Sequence, residues 1–532
     1  MTTIAPYRSP AAHGKDGFAQ ALRAEWTKFR TVRGWLIGAL VGILAMAGIG
    51  LLASGGGQAS CQSAQAGAQG QQSSNCAHGI SYLLGPNGEP VSDNFYFVRQ
   101  PLAGDGTITV RLTSLTGRLT PADANGSSLV PGLVAWAKAG LIIKENLNRG
   151  SQYAAIMVAA DHGVRMQWNY TGDTAGQPGT VGTANPRWLR LARSGDVITG
   201  SDSADGTHWS QVAAVTLAGL PSTAQVGLFA TAPDNNQVTT SFGGGSGVSG
   251  GPAEATAVFD QLGTSGGWTA GQWAGQDVGV PEIPGTGYHQ AGGQFTLTGQ
   301  GDIAPLPAGH GGPADSATTV SDYLVGTFAG LIALVVVAAL FVTGEYRRGL
   351  IRLTLAATPA RGRVLAAKAV VVALAGFVVG LLGAGIAILA GQAITRAKGH
   401  YAFPISGMAE ARVILGTAVV TAVASVLAMA IGIIVRRSAA TVAAVVIVIV
   451  LPYFLAVASI VPLSAGDWLL RVFPAAGLAL QQPYPAYGQV TMHYAPISGY
   501  FPLSALAGLG VLAAWTAAAL ALAAYLLRRR DA

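Results

Sequence analysis

The stretch GEYRRGLIRLTLAATPARGRVLAAK, residues 344–368, carries six positive charges (Arg347, Arg348, Arg352, Arg361, Arg363 and Lys368) against a single negative one, Glu345. Long runs without any charge flank it on both sides. A short basic segment between long apolar ones is the pattern left by membrane insertion, because loops rich in Lys and Arg stay on the cytoplasmic side. How often that pattern recurs along the chain decides the fold class.

Half of the 532 residues are hydrophobic and 10% are charged, whereas a soluble domain carries about 25%. The formal charge of +7 does not indicate nucleic acid, since the charges sit at the edges of apolar runs and form no basic face interleaved with aromatics. Six segments are long and apolar enough to cross a bilayer: Gly34–Ala53, Tyr323–Thr343, Val370–Gly391, Val413–Val435, Ala439–Val461 and Leu503–Leu527. None contains Asp, Glu, Lys or Arg.

The basic flanks set the orientation. Arg23, Lys28, Arg30 and Arg33 precede the first segment; the quoted loop follows the second; Arg436 and Arg437 follow the fourth; Arg528, Arg529 and Arg530 follow the sixth. The other short loops are poorer, with Arg396, Lys398 and Arg412 in one and Arg471 alone in the other. Both termini and the quoted loop are therefore expected in the cytoplasm of a multi-pass plasma-membrane protein. Ahead of the first span, Phe18, Leu22, Trp26, Phe29 and Val32 recur at steps of three and four, which predicts an amphipathic helix in the membrane interface and an uncleaved anchor rather than a signal peptide. Gly34/Gly38/Gly42 and Gly376/Gly380/Ala384 form small-residue stripes, suited to close helix contacts. Pro452 reads as a kink in the fifth span.

Residues 54–322 are expected outside the cell. A Gly/Ser/Gln-rich linker, 54–91, holds Cys61 and Cys76, the chain's two cysteines, and an oxidising exterior favours a disulfide between them. From 92 to 242 the texture is β-prone. In GTITVRLTSL, Ile108, Val110 and Leu112 alternate with Thr107, Thr109, Arg111 and Thr113, the period of a half-buried strand. DVITGSDSADGTHWSQVAAV reads as a hairpin turning at Asp205-Gly206. A Gly-rich linker, 243–252, precedes a second β-rich segment within 253–322 that either completes the first sandwich or stands alone.

The runs DNFYFVRQPLAGDGTITVRLTSL, AKAGLIIK, YAAIMVAADHGVRMQW and SADGTHWSQV resemble concanavalin-A-like jelly-roll modules. That resemblance implies an all-β sandwich and allows a carbohydrate ligand. Glu89, Glu145, Glu254 and Glu282 are too scattered in sequence for a paired-carboxylate hydrolase. Trp136, Trp168, Trp188 and Trp209 could stack on sugars or fill the core, and His162 and His208 lack neighbours at metal-ligand spacing.

Within the opening loop, Ile351/Leu355 and Leu350/Leu353 fall at helical spacings while Arg348 and Arg352 lie one turn apart. Thr358-Pro359 reads as an N-cap and first position of the next helix. This loop, the amino-terminal LRAEWTKFRTVRGWL and the closing LLRRRDA resemble permeases of the type-2 exporter class of ATP-binding-cassette (ABC) transporters. The resemblance implies that the loop docks into a separate cytoplasmic ATPase, with Glu345, Arg347, Arg348 and Arg352 as contacts and Gly349 permitting close approach. It also implies a second permease subunit, identical or related. The chain has no G-x-x-x-x-G-K-[ST] loop, its Gly14-Lys15 leading into Asp16. ATP and Mg would therefore be held by the partner, and no cofactor, metal or catalytic residue is expected here.

The resulting expectation is a six-helix membrane permease with an inserted extracytoplasmic jelly roll. The alternative is a membrane-anchored surface protein that uses the β module to sense or to bind carbohydrate. A membrane-embedded enzyme is disfavoured by the absence of any intramembrane acid, base or metal cluster.

Overall fold

The computed structural model describes residues 17–530 except 57–82, 122–127, 242–244, 269–270, 280–282, 309–317, 352–353, 355–359, 399–401, 459 and 491–493. Two compact units emerge: a helical one from residues within 1–70, 318–484 and 495–532, and a β one from residues within 71–317 and 485–494.

The helical unit comprises α1 (Phe18–Thr31), α2 (Arg33–Gly56), α3 (Thr327–Arg347), α4 (Arg361–Ala397), α5 (Gly407–Val435), α6 (Ser438–Val457), α7 (Leu463–Val472) and α8 (Ala505–Arg530). Among the described residues, α2, α3, α4, α5, α6 and α8 are long and apolar enough to cross a membrane. Their apolar residues run all round, as they must when one side packs on helices and the other on lipid. Leu331, Val335, Phe341, Val372, Leu427, Met429 and Ile433 are buried between helices, while Val370, Leu374, Val378 and Leu382 form an exposed stripe along α4. The chain is a membrane protein with a β domain.

The two glycine stripes differ. A Cβ on Gly380 would lie 2.1 Å from Thr421 Oγ1 and 2.8 Å from Ala418 Cα, and one on Gly376 would lie 2.7 Å from Ser425 Oγ. On α2, Gly38 faces Val337 at 2.5 Å, whereas Gly34 faces open space. The α4 stripe therefore sets a close approach to α5, and the α2 stripe is selective.

A π-helical turn, Val446–Val450, runs into Leu451 and Pro452 in α6. The missing proline N–H and its ring clash are absorbed by that wider turn. After α7 a 3-10 turn, Pro474–Gln481, is buried against α5 and α8. Its Gln481 amide donates to Thr327 Oγ1 at 3.2 Å and Thr417 Oγ1 at 3.1 Å.

In the β unit the long strand Phe95–Leu119 is the organiser, pairing antiparallel with Thr223–Thr231, Arg187–Ser194, Ala253–Trp268 and Ala274–Val278 along its length. Ile108, Val110 and Leu112 are buried, as their alternation requires. Val197–Ser203 and Ser210–Thr216 form the expected hairpin, with Gly206 at φ +77°. Strand Ala253–Trp268 joins the same sheet, so the second β segment completes the first.

The expected Gly-rich linker 243–252 requires correction. Gly245–Gly251 is a strand paired with Asn235–Ser241. Backbone ladders need no apolar side chains, so a run of Gly and Ser gives no alternating pattern to read.

Candidate functional site

The ends of the basic loop meet α1 in a cluster of four charges, three of them buried. α3 finishes with Glu345 and α4 opens with Lys368 in its early turns, so each projects from a rigid helix rather than from the loop itself. Lys368 Nζ lies 2.8 Å from Glu25 Oε2 and 2.7 Å from Glu345 Oε1. Lys28 Nζ lies 2.9 Å from Glu25 Oε1 and 3.1 Å from Glu345 Oε1. The Phe341 ring, 4.9 Å from Lys368 Nζ, offers its face to the same ammonium. Glu25, Lys368 and Glu345 are 2%, 3% and 7% exposed.

Two carboxylates and two ammonium groups cancel. Taking the three buried charges out of water costs several kcal/mol per ion, and mutual hydrogen bonding at these distances offsets it. At Lys28 burial alone would lower the pKa, but the hydrogen bonds and charges of Glu25 and Glu345 outweigh it and raise it.

The rest of the loop is held at other points. α3 stops at Gly349, whose φ of +67° follows bonds from Arg348 N to Gly344 O and Gly349 N to Tyr346 O. Gly349 thus serves as a left-handed helix stop, with nothing within 4 Å of a Cβ there. Arg361 Nη1 donates to Leu527 O at 2.8 Å and Arg528 O at 3.0 Å, capping the last turn of α8. The described α4 begins at Arg361 with Ala360 in the cap position.

Of the residues singled out in sequence, Glu345 is buried in the cluster, while Arg347, Arg348 and Gly349 are exposed beside it. Arg352, Leu353, Leu355, Thr358 and Pro359 lie outside the described residues, as do Cys61 and Cys76. On α1 the expected apolar face is partly uncovered, as a face turned to the membrane interface would be. Phe29 is buried, but Phe18 and Trp26 are exposed, and the residue most buried on this helix is Glu25. Glu25 and Lys28 were missed because apolar periodicity ignores charge. The available signal was that each basic stretch contains one lone acid, Glu25 in LRAEWTKFRTVR and Glu345 in the loop.

In the β unit the four tryptophans are occupied. Trp136 is buried and stacks on His162 at 3.9 Å; Trp209 is covered by the Arg190 guanidinium at 3.7 Å. Trp188 packs against Gly206 and has Arg111 over its ring, and Trp168 packs on the main core. Glu254 pairs with Arg118, and Glu282 lies outside the described residues. Burial raises the pKa of the Glu89 carboxyl and, with the Arg165 charge, lowers that of His162. Among the described residues no group of three or more His, Cys, Asp or Glu is placed to hold a metal.

A family model described as "ABC-2 family transporter protein" matches residues 27–532. No curated protein matches. Solved structures with partial likeness include a functionally unknown protein from Saccharomyces cerevisiae, 14% identical, covering 36% of this chain and 85% of that one at a TM-score of 0.22. Another is scytalido-glutamic peptidase with a transition-state analog inhibitor, 9% identical, covering 39% and 98% at a TM-score of 0.23. At such scores neither likeness bears on fold or function.

Proposed function

The chain belongs to the ABC-2 transporter family as a membrane component, and on that premise we propose that it is the permease subunit of an exporter driven by a separate cytoplasmic ABC ATPase. Both termini and the 344–368 loop lie in the cytoplasm on this reading, and residues 54–322 form an extracytoplasmic jelly-roll domain. ATP closure in the partner moves the loop, and the spanning helices pass the movement on by tilting between access states. Two membrane halves, from a second copy or a related chain, complete the pathway.

The observation that carries this reading is the mechanical construction of the loop. Its two ends are fixed to α1 by Glu25, Lys28, Glu345 and Lys368, and a third point, Arg361, is fixed to α8. Arg347 and Arg348 remain exposed beside the helix stop. A surface that must transmit force needs such rigid backing, and exposed guanidinium groups suit an acidic groove on a partner.

Purification of the tagged full-length protein from its native membrane tests the reading. An ABC ATPase should co-purify, and Arg347→Glu with Arg348→Glu should lower its recovery by about tenfold or more. Unchanged recovery would remove these arginines from the contact. Reporter tags placed at the termini and in 344–368 should be accessible from the cytoplasmic side, and the opposite result would overturn the orientation.

A further inference from the structure

The β unit is reached by the chain three times: through strand Val91–Asp93, through strand Ile303–Pro305, and through the separate segment 485–494, which belongs to this unit although it follows Pro474–Gln481 and precedes α8 in sequence. All three passages converge on one buried network. Val91–Asp93 pairs with Ile303–Pro305, with Asp93 opposite Ile303. Asp93 Oδ2 lies 2.8 Å from Lys144 Nζ and accepts from Gly150 N at 2.8 Å. Lys144 also donates to the Tyr170 hydroxyl at 3.4 Å, and that hydroxyl donates to Ser151 O at 3.2 Å.

Tyr170 sits in a three-residue turn, Asn169–Thr171, between paired strands Gly163–Trp168 and Gly172–Ala175. Asn169 and Tyr170 both take the left-handed conformation, at φ 43° and 63°, unfavourable for a residue as bulky as tyrosine. Such a conformation persists only where the surroundings over-determine it. Here the buried Tyr170 ring is wedged against Tyr153 at 4.9 Å, and Asn169 exchanges bonds with the Tyr153 backbone. The turn consequently presents two successive carbonyls, Tyr170 O and Thr171 O, and both accept from the side-chain amide of Gln489, at 3.0 and 3.3 Å. Gln489 is buried. Its own segment is closed by Tyr494, whose hydroxyl accepts from Tyr487 N at 2.8 Å and donates to Tyr487 O at 2.9 Å.

We propose that the Asn169–Thr171 turn is a built receptor for Gln489, and that Gln489 is the positioning residue coupling its own stretch of chain to that turn. A primary amide suits the role because its nitrogen supplies two donors to two adjacent carbonyls. Coupling of this kind is reciprocal: loosening the segment loosens the turn, and loosening the turn loosens the segment. The inference is independent of any transported substrate or ATPase.

Hydrogen exchange on the full-length protein in detergent tests it. Gln489→Glu keeps the shape but replaces both donors with acceptors facing carbonyls, so exchange should rise by about tenfold or more in peptides covering 163–175 and 485–494. Gln489→Ala should raise it less, and strands 187–216 should not change in either variant. Tyr170→Phe removes the bond to Ser151 O without touching Gln489, and should still raise exchange in 485–494. Equal exchange in Gln489→Glu and the parent protein at 163–175 would overturn the receptor. A Tyr170→Phe effect confined to 144–175 would overturn the coupling. Should Gln489→Glu fail to accumulate in the membrane, Gln489→Ala and Tyr170→Phe decide the question together.

Discussion

Lys368 Nζ lies 2.8 Å from Glu25 Oε2, joining residues 343 positions apart. With Glu345 on its other side the ammonium is nearly sealed from solvent. Lys368→Met would leave two buried carboxylates served by Lys28 alone. It should destabilise the protein by about 3–5 kcal/mol, seen as a lower unfolding temperature in detergent. In a double-mutant cycle with Glu25→Gln, the pair of substitutions should cost less than the sum of the two. Strict additivity would sink the idea that these residues act as one cluster.

Lys28 is the weaker member. Its side chain is 36% exposed and bridges the same two carboxylates from the edge. Water screens such a contact, so Lys28→Met should cost about 1 kcal/mol or less. A loss as large as that of Lys368→Met would show that the ranking by burial is mistaken.

The α4–α5 contact admits no side chain at Gly380, where Thr421 Oγ1 and Ala418 Cα already stand within 3 Å of a Cβ position. Gly380→Val should destabilise by about 1–3 kcal/mol or more through overpacking. Gly34→Ala, facing open space on α2, should be tolerated. Thermal unfolding of both variants provides the comparison, and equal melting of the two would contradict the packing described.

At the hairpin tip, His208 Nδ1 is 2.7 Å from Asp205 Oδ2. That hydrogen bond and the carboxylate charge raise the histidine pKa above 6.5, while the same bond, with others from the Thr207 and His208 backbone, holds Asp205 well below the ordinary carboxylate range. A raised histidine pKa means the contact is complete below pH 6.5 and is lost as pH climbs through the folded-state value. Histidine-selective NMR titration should find His208 above 6.5, returning to an ordinary value in Asp205→Asn. Titration of His208 at or below 6.5 in the parent protein would refute the contact.

Long uncharged runs made the spanning helices legible, and alternation did the same for the strand containing Ile108, Val110 and Leu112, because burial on one face imposes a repeat on residue type. Three features left neither signal. The strand Gly245–Gly251 pairs through its backbone, which is indifferent to side chains. Glu25 is buried through its partners Lys28 and Lys368, the latter supplied from far along the chain. Residues 485–494 group with residues 71–317, and there Gln489 meets two backbone carbonyls, a contact with no sequence signature. The loop was recognisable from its charges, but its anchoring through Glu345 depended on a neighbour the chain does not supply locally.

The 37 residues of α4 make a rod of about 55 Å at 1.5 Å per residue, against a hydrocarbon layer of about 30 Å. Such a rod acts as a lever with its fulcrum in the lipid. Swinging it by about 10° around its midpoint sweeps Lys368, eleven residues from that midpoint, through about 3 Å, enough to open a 2.8 Å contact. Either α1 rides with Lys368, or the swing breaks its grip on Glu25.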